Sequence, residues 1–149
     1  MNSRQSKLVF AARGVLGLGF LVFGLNGFLH FLPQPPLAGP PADFFAALFA
    51  TGYMLPLIKG TEVVVGALLL ANRFVPLALT VLAPVMVNIL AFHAFLAPAG
   101  LAIPLLFTAL GVYLAYAHRA AFAPVLQARP TGEPRSERGR LGGHALSGS

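Results

Sequence analysis

Four stretches of this chain, residues 8–32, 53–71, 74–97 and 101–118, are apolar almost throughout. Each is close to the roughly 20 residues a helix needs to cross a bilayer. Only 9% of all residues are charged, against about a quarter in a soluble domain, and the mean hydropathy is +0.79. The expectation is therefore an all-α membrane protein, a bundle of four transmembrane helices joined by short connections. Lipid tails are as apolar as Leu, so such a bundle is held by close packing and interhelical hydrogen bonds rather than by hydrophobic collapse. Within the single domain, residues 1–7 read as a cytoplasmic N-terminus, 8–126 as the membrane domain and 127–149 as a disordered cytoplasmic tail rich in Gly, Ser, Pro, Arg and Glu.

The direction of the spans follows from the basic residues. Arg4, Lys7 and Arg13 precede or open the first span, Arg73 separates the second from the third, and Arg119 follows the fourth. The opposite side carries only Asp43. The positive-inside rule then puts both termini and the Arg73 turn in the cytoplasm. The basic start of the first span is like that of a signal peptide. Its apolar stretch is longer than an h-region of about 7–15 residues and no small-x-small site follows, which predicts an uncleaved first helix.

Prolines and glycines mark the boundaries. Pro56, Pro76 and Pro104 fall in first turns, where no N–H is needed, whereas Pro84 lies inside the third span and should bend it. The outer loop at residues 33–41 is too proline-rich for a helix, but residues 42–50 can form one, with Pro41 and Asp43 at its start and Gly52 beyond its end. Phe44, Phe45, Leu48 and Phe49 share a face there, as in a short helix lying in the interface with Tyr53 as a headgroup-level anchor. Such a helix serves either as a lid or as a connector.

Polar side chains inside the spans carry the functional signal, because each ionisable group at mid-bilayer costs about 2.5–3.5 kcal/mol or more unless paired or hydrated. Counting along the helices at about 1.5 Å per residue, Asn26, His30, Lys59, Glu62, Asn88 and His93 all fall between the midplane and the outer surface. The inner half is almost wholly aliphatic and Gly. Asn26 and His30 are four apart and Lys59 and Glu62 three apart, so each pair occupies one helix face, and the second pair can form an intrahelical salt bridge. The two readings are an outward-opening pocket that binds a ligand, and a set of structural contacts in which the ion pair neutralises itself and the asparagines join helices. A buried ion pair stabilises a bundle poorly compared with apolar residues, which favours a further role. Gly14, Gly17, Gly24 and Gly27 read as helix-packing positions.

Composition also excludes function classes. The net charge of +6 is spread over helix ends and the tail without an aromatic-interleaved basic stripe, which speaks against nucleic acid. With no Cys, the chain has no disulfide, thiolate metal site, iron–sulfur cluster or thioether-attached haem of its own, and no dithiol exchange. No metal site is expected, and no catalytic residue is assigned. Any redox role must use a bound molecule.

Three segments together resemble the DoxX family of small bacterial four-helix membrane proteins: RGVLGLGFLVFGLNGFLH at 13–30, TGYMLPLIKGTEVVVGALLLANRFVPLAL at 51–79 and APVMVNILAFHAFL at 83–96. The resemblance spans roughly residues 10–125. It implies a four-helix bundle in the cytoplasmic membrane, and for some relatives a link to thiosulfate oxidation with quinone as electron acceptor or to oxidative-stress and thiol-homeostasis systems. The expectation is thus the membrane component of a redox system, with no covalent cofactor, binding quinone or a similar lipid-soluble molecule through Asn26, His30, Lys59, Glu62, Asn88 and His93 and working with a redox partner protein. The alternative is a non-enzymatic scaffold, or a small-solute or proton-handling factor. Haem held between His30 and His93 is a third arrangement the depths allow.

Overall fold

The computed structural model describes residues 3–33 and 36–125, so the expected tail at 127–149 lies outside the described residues. The described chain is all helix and turn: α1 Ser3–Leu29, α2 Pro40–Ala50, α3 Met54–Leu70, α4 Val75–Phe95, a 3-10 turn Pro98–Gly100, α5 Ala102–Ala117 and the single-turn α6 Arg119–Phe122. α1 starts earlier than the apolar run alone suggests, because Arg4, Gln5 and Lys7 are good helix formers that extend it outward as exposed first turns.

By length and composition α1 and α4 can each cross a membrane, with mean hydropathies of 2.1 and 2.2. α2 and α3 meet at a bend of 93° and count as a third candidate if taken as one broken span. α5 is as apolar but has 16 residues, about 24 Å of helix, short of the roughly 30 Å hydrocarbon core. The outward surface agrees with a lipid environment: Leu18 on α1, Val64 on α3, Val87 on α4 and Val112 on α5 are each at least half exposed. On a water-soluble monomer an apolar surface of that extent would be an aggregation liability.

α1 packs chiefly against α3, and less extensively against α5; α4 packs against the same two helices. The buried core is Ala12, Leu16 and Phe20 of α1, Val65 and Leu69 of α3, Val75, Ala78, Leu79 and Leu82 of α4, and Leu114 of α5. These positions recur at spacings of three and four, one face per helix. They come from the middle of α1, the first part of α4 and the last part of α3 and α5, so the core lies toward the end of the molecule that holds the Arg73 turn.

Two devices hold that end. Glycines let α1 and α3 touch backbone to backbone: a Cβ on Gly66 would lie 2.5 Å from the Leu21 nitrogen and 2.8 Å from the Gly17 carbonyl oxygen. Next, α3 closes in a Schellman motif, with Asn72 in the left-handed region (φ 55) and the Arg73 and Asn72 amides donating to the Leu68 and Leu69 carbonyls at 3.0 and 3.1 Å. The guanidinium of Arg13, reaching across from α1, donates to the carbonyls of Leu69 and Leu70 and lies over the Phe10 ring. A cation at a helix C-terminus is favoured by the helix dipole as well as by the hydrogen bonds, and Arg13 is 8% exposed.

At the opposite end, α2 begins after Gly39 (φ 65) with Pro40 and Pro41 in its first turn. Thr51 joins it to α3: its hydroxyl donates to the Leu48 carbonyl at 2.6 Å and accepts from the Met54 amide at 3.1 Å. Phe44 and Phe45 pack on Phe92 of α4, each with ring centroids 5.3 Å apart, while Phe49 is left exposed. No residue of α2 is fully buried.

The backbone contact makes a sharp prediction. Gly66→Ala should destabilise the protein by about 1–3 kcal/mol through overpacking against α1. At Gly60 of the same helix an added Cβ meets nothing within 4 Å, so Gly60→Ala should be neutral or slightly stabilising, by up to about 1 kcal/mol of helix propensity. Equilibrium unfolding in detergent micelles separates the two variants.

Candidate functional site

Two of the polar residues, Lys59 and Glu62, face the seam between α1 and α3. Early α1 touches late α3 through Arg13 and Leu69, and late α1 touches early α3 through Gly27 and Lys59, so the two helices run antiparallel. Lys59 and Glu62 stand one turn apart on α3. The ammonium donates to both carboxylate oxygens, at 3.1 Å to Oε1 and 2.9 Å to Oε2. Glu62 is 2% exposed and Lys59 is 23% exposed along its side chain, so the carboxylate is sealed inside while the lysine forms the accessible end. Two of the three ammonium protons are committed to Glu62. The third is available to a ligand.

The trough that holds this pair is made by glycines of α1. A Cβ on Gly24 would stand 3.0 Å from the Glu62 Cβ and 2.8 Å from the Val63 nitrogen. A Cβ on Gly27 would run into the Lys59 stem. Gly24 and Gly27 are three apart, as are Lys59 and Glu62, and with antiparallel helices Gly24 faces Glu62 while Gly27 faces Lys59. The role of these glycines is thus more specific than general helix packing. The matching intervals were a signal for it in the sequence.

The remaining candidates divide. Asn26, 7% exposed, lies between those glycines and ends α1: its Oδ1 accepts the Leu32 amide at 2.6 Å, and its backbone carbonyl accepts the His30 amide at 3.0 Å. Its amide nitrogen remains as the group able to donate to a ligand. His30 sits where α1 stops, in the left-handed region with φ 51, and is exposed. His93, half-buried near the end of α4, donates from Nδ1 to the Ile89 carbonyl at 2.8 Å and rests edge-on against Phe92. Since a carbonyl can only accept, Nδ1 carries the proton and a neutral ring offers Nε2 as an acceptor. The ring packs so tightly on the following turn that a Cβ on Gly100 would lie 2.9 Å from it. Asn88 is exposed on α4 and forms no side-chain hydrogen bond among the described residues. The single polar layer expected from depth counting therefore resolves into the Lys59–Glu62 pair on the α1–α3 seam, a buried Asn26 that ends α1, a histidine at each of two helix ends, and an asparagine facing outward. Depth along a helix carries no information about azimuth, which is why counting merged them.

Arg13 is the polar residue whose role sequence reading assigned too narrowly. By its place in the sequence it is a topology anchor, and in the fold it also caps α3. Its position inside an apolar run was the available sign, because an unpaired guanidinium at that place is expensive.

Two open apolar grooves run along the helices. One of about 330 Å³ lies between α3 and α4, lined by Leu57, Gly60, Thr61, Val64 and Val81 among others; one of about 360 Å³ lies between α1 and α5, beside Val15 and Tyr113. Asn26, Lys59 and Glu62 line neither. Among the described residues no three His, Asp or Glu side chains cluster as metal ligands. Comparison with models of known protein families, with curated proteins and with solved structures gives no match to this chain.

The geometry predicts an asymmetry in a mutant cycle. Lys59→Met strands the Glu62 carboxylate and should cost about 3 kcal/mol, whereas Lys59→Met combined with Glu62→Leu should recover most of that loss, since apolar replacement of a whole buried pair is often neutral. Unfolding free energies of the wild type, the two single variants and the double variant, measured in one detergent, give the coupling directly.

Proposed function

We propose that the protein is a DoxX-like component of a bacterial inner membrane, a bundle of four spans with both termini cytoplasmic, whose Lys59–Glu62 pair receives a quinone or a similar lipid-soluble molecule on behalf of a redox partner protein. The contacts of α1 with α3 and α5, and of α4 with the same two helices, support the four-helix reading. Leu101, itself in helical geometry, prolongs the short α5 at its start. The distribution of Arg4, Lys7, Arg13, Arg73 and Arg119 supports the orientation.

One observation carries the ligand reading: a carboxylate sealed in an apolar interior and held by a lysine that is itself part-exposed with a proton to spare. A quinone carbonyl is an acceptor of the kind that proton would suit. Few convergent polar groups in an apolar setting are what such a ligand requires. The His93 Nε2, an acceptor in the neutral ring, suits a quinol hydroxyl better than a quinone carbonyl.

A second reading, a scaffold without redox chemistry, draws on the fact that both Glu62 oxygens already accept from Lys59 and that neither groove touches the pair. Lipid extracted with the purified protein distinguishes them. Quinone should co-purify with the wild type and be largely lost from Lys59→Met/Glu62→Leu, which keeps the packing. No quinone in the wild type, together with unchanged binding of added quinone in Lys59→Ala and His93→Ala, leaves the scaffold.

A further inference from the structure

Asn88 stands in the body of α4, about two turns from its C-terminal end, exposed and without a hydrogen-bonding partner among the described residues. α4 is one of the two helices long and apolar enough to cross a membrane. A primary amide turned to hydrocarbon loses its water and gains nothing in exchange, so it calls for a partner outside this chain.

The residues around it describe that partner. Leu77, Val81, Pro84, Asn88, Ala91 and Phe95 follow one another at intervals of four, three, four, three and four. That is the alternation of a heptad seam, and it lies on the side of α4 turned away from the core residues Val75, Ala78, Leu79 and Leu82. Leu77 is 57% exposed, Val81 44% and Phe95 84%; Pro84 is exposed and Ala91 half-buried. Asn88 takes the same register position as Val81 and Phe95, the place where a lone Asn fixes the register of paired parallel helices.

We propose that this seam of α4 mates with the same seam of a second copy, with Asn88 paired to Asn88 across a two-fold axis along the membrane normal. An amide is its own complement, having a carbonyl acceptor and an N–H2 donor. Copies inserted in one orientation bring equal positions to equal depth, so the two Asn88 amides meet without any shift of register, and the interface is isologous. The groove between α3 and α4 adjoins Val81, and Gly60 on its floor leaves space open there, which gives the partner helix room to approach. The inference requires only that α4 spans the membrane and stands apart from the quinone reading.

Because the full chain has no cysteine, single-cysteine variants report on the contact without background. In native membranes, Val81→Cys and Ala91→Cys should form an oxidation-dependent dimer, while Val112→Cys on α5 and Val15→Cys on α1, both at least half exposed, should not. In vesicles, energy transfer between donor- and acceptor-labelled copies should fall when Asn88 is changed to Ala, by about 3- to 30-fold in the association constant, and recover in part with Asn88→Gln. Cross-linking at Val112→Cys equal to that at Val81→Cys, no dimer at either seam position, or an association constant unmoved by Asn88→Ala overturns the proposal and leaves lipid or a different protein on this face.

Discussion

Close approach of two backbones organises this molecule. Where α1 crosses α3, Gly17 and Gly66 bring carbonyl and amide groups to distances that no side chain could share, and the long van der Waals contact this allows is the main attraction available between helices in lipid. Continuing along the same seam, Gly24 and Gly27 widen it just enough to admit Glu62 and the stem of Lys59. The seam thus serves as packing at one end and as a polar compartment at the other, and the ion pair inherits its position from the glycine contact.

The remaining helices complete what that pair begins. α5 presents Phe107 to Phe20, with ring centroids 5.5 Å apart, and α4 contributes the largest share of the aliphatic core. The two ends of the molecule differ in kind as a result: tight, aliphatic and anchored by arginine at the Arg73 turn, and aromatic, proline-framed and loosely covered by α2 at the other. A ligand or a partner meets more give at the second end, where no α2 side chain is fully buried.

Much of the fold was legible because hydrophobic length and turn residues act locally. The prolines at 40–41, Gly52 and the Arg73 turn stop and start helices through local chemistry, and the helices end within a few residues of where those signals lie. The Lys59–Glu62 bridge was legible for the same reason, being a contact within one helix turn. The facing of each helix was not. Whether Asn88 points into the bundle or away from it depends on how α4 is rotated against α3 and α5, and an apolar helix with apolar residues on all sides offers no moment to settle that rotation. The partners of Arg13 lay equally out of reach, since backbone carbonyls at the end of another helix leave no trace in the pattern of side chains.

That cap has a consequence for how the protein is made. Arg13 donates to a carbonyl 56 residues further along the chain, so during synthesis the first helix is threaded long before its arginine has anything to bind. Until the last turn of α3 emerges, the guanidinium belongs at the headgroup boundary, near lipid phosphate and water. Only when α3 has closed on its Asn72 turn can the charge move inward to the Leu69 and Leu70 carbonyls. The contact therefore becomes available only once α3 is complete, before α4 and α5 have followed, and it holds α1 upright against a neighbour that did not exist when α1 entered the membrane.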